Sequence, residues 1–203
     1  MKPERKAWEK FYSKQLNPWR GKKEILDFLK FVERGSLILD AGSGTGKSSL
    51  VYSNDFQIIM LDFSMNSLKN SNVKGEKVLG DVRKIPFKDN SFDAIIAVHI
   101  LEHMFLNDRI KATDELFRVL KHGGYIFVES FSVEDFRFGK GKEIEKNTFL
   151  RGNRIFTHYF QENEFLKLLN KFEIIKIQKE IIKRKILNNT YKVINHVAIG
   201  IKE

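Results

Sequence analysis

The stretch LILDAGSGTGKSSL, Leu37 to Leu50, places an acid and three glycines directly after a short apolar run. From Ala41 to Ser48 it spells A-x-x-x-x-G-K-S, one residue away from a glycine-first triphosphate loop. From Asp40 to Gly46 it spells D-x-G-x-G-x-G, the turn of a dinucleotide- or nucleoside-binding fold. The triphosphate reading fails on charge. Asp40 would stand beside several phosphates, and the apolar run DAIIAVHI ends without the acid that would organise magnesium for Lys47 and Ser48. A carboxylate at this point suits a ligand that carries positive charge. The glycines allow a tight turn and close backbone approach. Asp62 follows Gly42 by 20 positions, where an acid holds ribose hydroxyls. The spacing G-x-G-x-G differs from the dinucleotide fingerprint, so at this level both a dinucleotide and a nucleoside without phosphate remain open.

A second group of reactive side chains lies in HILEH. His99 and His103 are four apart and would share a face of a helical turn. The zinc-protease order H-E-x-x-H is absent, so no metal is expected. His99 is the candidate for a base or acceptor-orienting group, and His103 reads as structural.

These residues need a scaffold. Residues 4–15 and 22–34 have helical spacing, separated by the turn NPWRG. SLILD, FQIIMLD, EKVLGD, SFDAIIAVHI and YIFVESF read as five strands. Helices are expected in SMNSLKNS, with Ser64 as N-cap, and over residues 107–120, ended by the Gly-Gly turn. Residues 132–156 are polar and read as irregular. QENEFLKLLNKF is a helix, followed by two alternating segments, EIIKIQKEIIKRK and TYKVINHVAIGIKE. Alternating strands and helices predict a doubly wound α/β fold, with a mostly parallel seven-stranded sheet and an antiparallel C-terminal edge strand.

At 203 residues, 42% hydrophobic and 31% charged, the chain has the make-up of one soluble globular domain. No apolar run is long enough for a membrane span, the N-terminus lacks the apolar core of a signal peptide, and there is no cysteine. A reducing, cytoplasmic setting is the expectation. The net charge of +10 favours polyanions such as RNA, though along the chain the excess reads as spread over both ends.

With GDVRKIPF, FDAIIAVHILEHM and ELFRVLKHGGYIFVES following the glycine loop in order, residues 36–131 resemble the class I, Rossmann-like S-adenosylmethionine-dependent methyltransferases of the type 11 group. The resemblance implies an enzyme that uses S-adenosylmethionine, a ligand with a sulfonium and an ammonium and no phosphate. It implies that Gly42, Ser43, Gly44 and Gly46 wrap the methionine part, with Asp40 near its amino group. Asp62 would accept from the ribose hydroxyls, and Phe63 and Ser64 would flank the adenine. Asp81 would take its amino group beside the Val82 backbone, and Val98 and His99 would lie near the cofactor amine.

The N-terminal segment resembles covers found in this group, with Tyr12 and Trp19 as lid candidates. The parts expected are a helical cap over residues 1–34, a cofactor-binding core over 35–131, a substrate-recognition insert over 132–160, and a C-terminal helix and strand pair over 161–203. In the insert Arg137, Arg154, His158 and Tyr159 are candidate acceptor contacts. The acceptor expected is a small molecule, with tRNA or rRNA as the alternative. For RNA, Lys171, Lys176, Lys179, Lys183, Arg184 and Lys185 would supply a phosphate-contacting surface. Neither DNA nor a membrane is indicated.

Overall fold

A computed structural model describes residues 3–14 and 25–203. Seven strands form the main sheet. They are β1 (Leu37–Ala41), β2 (Gln57–Asp62), β3 (Glu76–Leu79), β4 (Phe92–Val98), β5 (Leu120–Phe131), and the late pair β9 (Glu173–Ile186) and β10 (Asn189–Ile201). Their order is β3-β2-β1-β4-β5-β10-β9. β1 to β5 run parallel, while β10 pairs antiparallel with both β5 and β9. The antiparallel strand therefore lies inside the sheet, and β9 forms the edge.

The strands alternate their burial between two layers. Leu39 and Ile95 pack on one side with Leu116 of α4 (Leu106–Val119) and Phe165 of α5 (Glu162–Leu168). Ile38 and Ile96 pack on the other with Phe28 of α2 (Leu26–Leu29) and Phe127. Phe28 is fully buried, its ring 5.6 Å from that of Phe127, so α2 belongs to this layer. The cap predicted over residues 1–34 thus divides. α1 (Pro3–Lys14) lies over the mouth of the sheet, α2 lies beneath it, and residues 15–24 fall outside the described part.

Residues 132–156 are not all irregular. β6 (Lys142–Glu145), β7 (Thr148–Leu150) and β8 (Phe156–His158) make a separate antiparallel sheet. Strands of three or four residues are too short to show a period-two pattern in sequence. Arg109 of α4 anchors this sheet by pairing with Glu145 at 2.8 Å.

Candidate active site

The glycine turn follows β1. Gly42 and Gly44 have φ of +70° and +55°, a region L side chains rarely adopt. A Cβ on Gly42 would overlap the end of Ile100, and one on Gly44 would come within 2.6 Å of the Tyr12 hydroxyl. The loop is tied to β2 because the amides of Gly42 and Ser43 both donate to the Leu61 carbonyl.

Asp62 ends β2 and joins the turn to the next helix. Gly44 N–H donates to its Oδ2 and Ser64 N–H to its Oδ1, each at 2.8 Å. Burial raises its pKa, these hydrogen bonds oppose the rise, and Glu9 adds to it. Ser64 caps α3 (Met65–Lys69) as expected, its side chain accepting from Ser67 N–H. Asp40 lies further in, held by the Ser49 hydroxyl, and burial pushes its pKa up to about 7.

Helix α1 closes the site through Glu9. Its carboxylate accepts from the amides of Met65 and Asn66 at 2.8 and 3.2 Å and from the Ser64 hydroxyl at 3.1 Å. It is a borrowed cap for the N-terminus of α3, where a carboxylate is favoured. Tyr12 and Trp8, one helical turn apart, both face the cavity.

The cavity has a volume of about 640 Å³ including its open mouth. Tyr12, Gly42, Asp62, Phe63, Asp81, Val82 and His99 line it. Ser43, Gly44, Gly46, Ser64, Asp40 and Val98 are not among its lining residues, though Gly44 and Ser64 donate to the lining Asp62. Trp19 lies outside the described residues. Asp81 is engaged by Arg83, whose Nε and Nη2 reach its two carboxylate oxygens at 2.8 and 2.6 Å. Arg83 also pairs with Asp108 at 2.6 Å. Trp8 and Arg83 are cavity residues that the sequence reading left out, and His103, read there as structural, also lines the cavity. The one available signal was the four-residue spacing of Trp8 and Tyr12.

The two histidines differ in their partners. His99, at a left-handed φ of +54°, donates from Nδ1 to Glu102 at 2.6 Å, and its Nε2 lies 3.3 Å from Glu129. Burial lowers its pKa, but the two fully buried carboxylates outweigh that and push it up to about 9. With both ring nitrogens turned to carboxylates, the geometry of His99 suits the acceptor-orienting part of the expectation better than the part as a base. His103 is the converse. Its Nδ1 lies 2.8 Å from the Phe156 carbonyl, which can only accept, so Nδ1 carries the proton and Nε2 keeps its lone pair. Burial holds its pKa below the usual histidine range. The Trp8 ring meets it edge-on at 4.9 Å.

The four insert candidates do not line the cavity. His158 is buried, its Nδ1 2.8 Å from Thr148 and its Nε2 3.0 Å from Glu164. Tyr159 is buried and accepts from Arg151 at 2.6 Å. Both are thus corrected from acceptor contacts to packing of the small sheet. Arg154 is exposed on a turn. Arg137 stands one ring back from the cavity, stacked 4.0 Å over Phe131, which itself stacks on His99 at 4.1 Å. Among the described residues no cluster of His, Asp or Glu is arranged to hold a metal.

Residues 39–128 match a family model described as a methyltransferase domain. A tRNA (carboxymethyluridine(34)-5-O)-methyltransferase of Arabidopsis thaliana is 35% identical over 113 residues, 55% of this chain and 28% of that protein. A demethylmenaquinone methyltransferase of Renibacterium salmoninarum is 37% identical over 126 residues, 60% of this chain and 51% of that one. The chain spans from 21% to 53% of the length of the curated relatives it matches. In fold it is similar to the 1,6-didemethyltoxoflavin-N1-methyltransferase of Burkholderia thailandensis, solved with S-adenosylhomocysteine. The TM-score is 0.72 at 14% identity, over 97% of this chain and 88% of that one.

Proposed function

We propose, from the premise that residues 39–128 form a class I, Rossmann-like methyltransferase domain, that this chain transfers a methyl group from S-adenosylmethionine. The observation that carries the reading is Asp62 at the cavity wall, oriented by the amides of Gly44 and Ser64 and following the glycine turn. Glu4 lines the cavity, and its buried Oε2, without a hydrogen-bond partner among the described residues, fits a polar ligand at this site.

Asp62 retains lone pairs for ribose hydroxyls. Phe63 and the Val82 backbone would flank the adenine. Asp81 would take the adenine amino group while Arg83 holds its carboxylate in place. The turn at residues 42–46 would carry the methionine part. When bound, the cofactor supplies an electrophilic methyl on a sulfonium. The protein's work is then to position the acceptor and exclude water. Trp8, Tyr12 and Met104 do the excluding. For an acceptor that must lose a proton, His103 Nε2 is the base at the cavity wall. The fixed charge of His99 orients polar groups beside it.

Titration calorimetry tests the reading. S-adenosylmethionine and S-adenosylhomocysteine should bind, and ATP and NAD should not. Binding of NAD with no response to S-adenosylmethionine would reject it. The relatives act on tRNA in one case and demethylmenaquinone in the other, so the acceptor class needs its own argument.

A further inference from the structure

Two segments of the second half of the chain are strongly basic. Residues 137–154 and 176–192 carry twelve Lys and Arg against three Glu. The first segment is the insert beside the cavity, and the second is the outer half of the β9–β10 hairpin. A ladder of rings and cations joins them. Phe131, stacked on His99 of the cavity wall, lies under Arg137, and Arg137 also lies 5.3 Å over Phe136. Phe136 meets Tyr191 of the hairpin at 4.8 Å, and Lys140 caps both rings at 5.0 and 5.9 Å.

On the hairpin Lys183 stands directly across from Lys192, both exposed, with Lys185 two residues along on the same face. Like charges opposite one another in an antiparallel pair repel. Among the described residues none of these three lysines has a carboxylate partner, whereas Lys171 and Lys179 are paired with Asp114 and Glu134. The opposite face carries Arg184 across from Tyr191. A retained repulsion of this kind is relieved when an anionic chain lies between the lysines.

We infer that the hairpin arm and the insert form a docking surface for RNA, whose phosphates straddle the arm, with Lys183, Lys185 and Lys192 on one face and Arg184 on the other, while an unpaired nucleotide reaches the cavity. The inference deepens the methyltransferase reading and rests on it, and it replaces the small-molecule expectation. RNA fits better than duplex DNA because the cavity is recessed. A nucleotide must leave its stack to enter, and RNA loops present such nucleotides at little cost. An anionic membrane fits less well. The exposed Ile181, Ile182 and Ile186 alternate with Lys and Arg on both faces of the arm, so neither face is continuously apolar.

The test compares the full chain with the variant Lys183→Glu/Arg184→Glu/Lys185→Glu, which lies outside the cofactor cavity. The probes are fluorescently labelled total tRNA, a DNA duplex of similar length, and vesicles of phosphatidylserine and phosphatidylcholine. The wild type should prefer tRNA, with affinity falling steeply as salt rises. The variant should bind tRNA at least tenfold more weakly at 0.1 M salt, with a log–log salt slope shallower by about three. Equal binding by wild type and variant overturns the inference, as does preference for duplex or vesicles. Calorimetry with S-adenosylmethionine on both proteins separates the two readings. Cofactor binding by both, without tRNA binding, rejects the docking surface alone; tRNA binding without cofactor binding rejects the methyltransferase reading and with it the acceptor role of the bound RNA.

Discussion

The Nδ1 of His99 lies 2.6 Å from the carboxylate of Glu102, three residues on, and the same ring reaches back to Glu129 on the neighbouring strand β5. Glu102 also accepts from Ser130 at 3.0 Å, and Asn195 of β10 donates to Glu129 at 2.5 Å. His99 therefore ties the loop after β4 to β5, and Asn195 carries the network on to β10.

This arrangement sets a pH dependence. The folded pKa of His99 is raised to about 9, above its unfolded value of 6.5, so its stabilisation is fully present below 6.5 and is lost as pH rises through 9. The ceiling is about 3 kcal/mol, and less after solvent screening because the side chain is 31% exposed. Thermal unfolding between pH 6 and pH 9.5 should show Tm falling across that window. A His99→Gln variant whose Tm falls by the same amount would show that another group is responsible.

Removing the cation should be costlier than titrating it. His99→Ala leaves the buried Glu102 and Glu129 facing each other without compensation, and the expected loss is about 3–5 kcal/mol. Glu102→Gln keeps the shape and a hydrogen bond and should cost less. Urea denaturation of the two variants would show whether their order is as stated.

Asp62→Ala should weaken S-adenosylmethionine binding by about 1–3 kcal/mol, since ligand hydroxyls lose a charged acceptor and the glycine turn loses its tie. Asp62→Asn retains an acceptor and should fall between. Affinities by calorimetry that match the wild type would remove the ribose role.

Glu9→Ala should release α1 from α3, because three donors of the α3 N-terminus lose their acceptor. A cap of this kind contributes about 1 kcal/mol. Amide exchange in residues 3–14 should accelerate, and cofactor off-rates should rise because Trp8 and Tyr12 leave with the helix. Unchanged exchange would mean that ring packing alone holds α1.

The parts of the site that sequence made legible are local ones. Gly42, Gly44 and Asp62 follow from a turn and a strand end, where residue type and spacing fix the geometry. The pairing of His99 with Glu102 was within reach, being three residues apart. Its second partner was not, because Glu129 comes alongside only through the β4–β5 pairing. For the same reason His99 read as a free base. Arg83 was missed although it clamps Asp81 two residues before it, since nothing in GDVRKIPF tells an inward arginine from a solvated one. The basic residues of the hairpin were legible as a candidate phosphate surface, but their proximity to the insert was not, because it arises from contacts such as Phe136 with Tyr191 and Lys179 with Glu134.

The placement of β10 between β5 and β9 also bears on how the sheet is put together. Among the described residues β9 pairs with β10 alone, so it joins the sheet only once β10 has docked against β5. A nick anywhere within β10 would therefore detach two strands from the sheet rather than one.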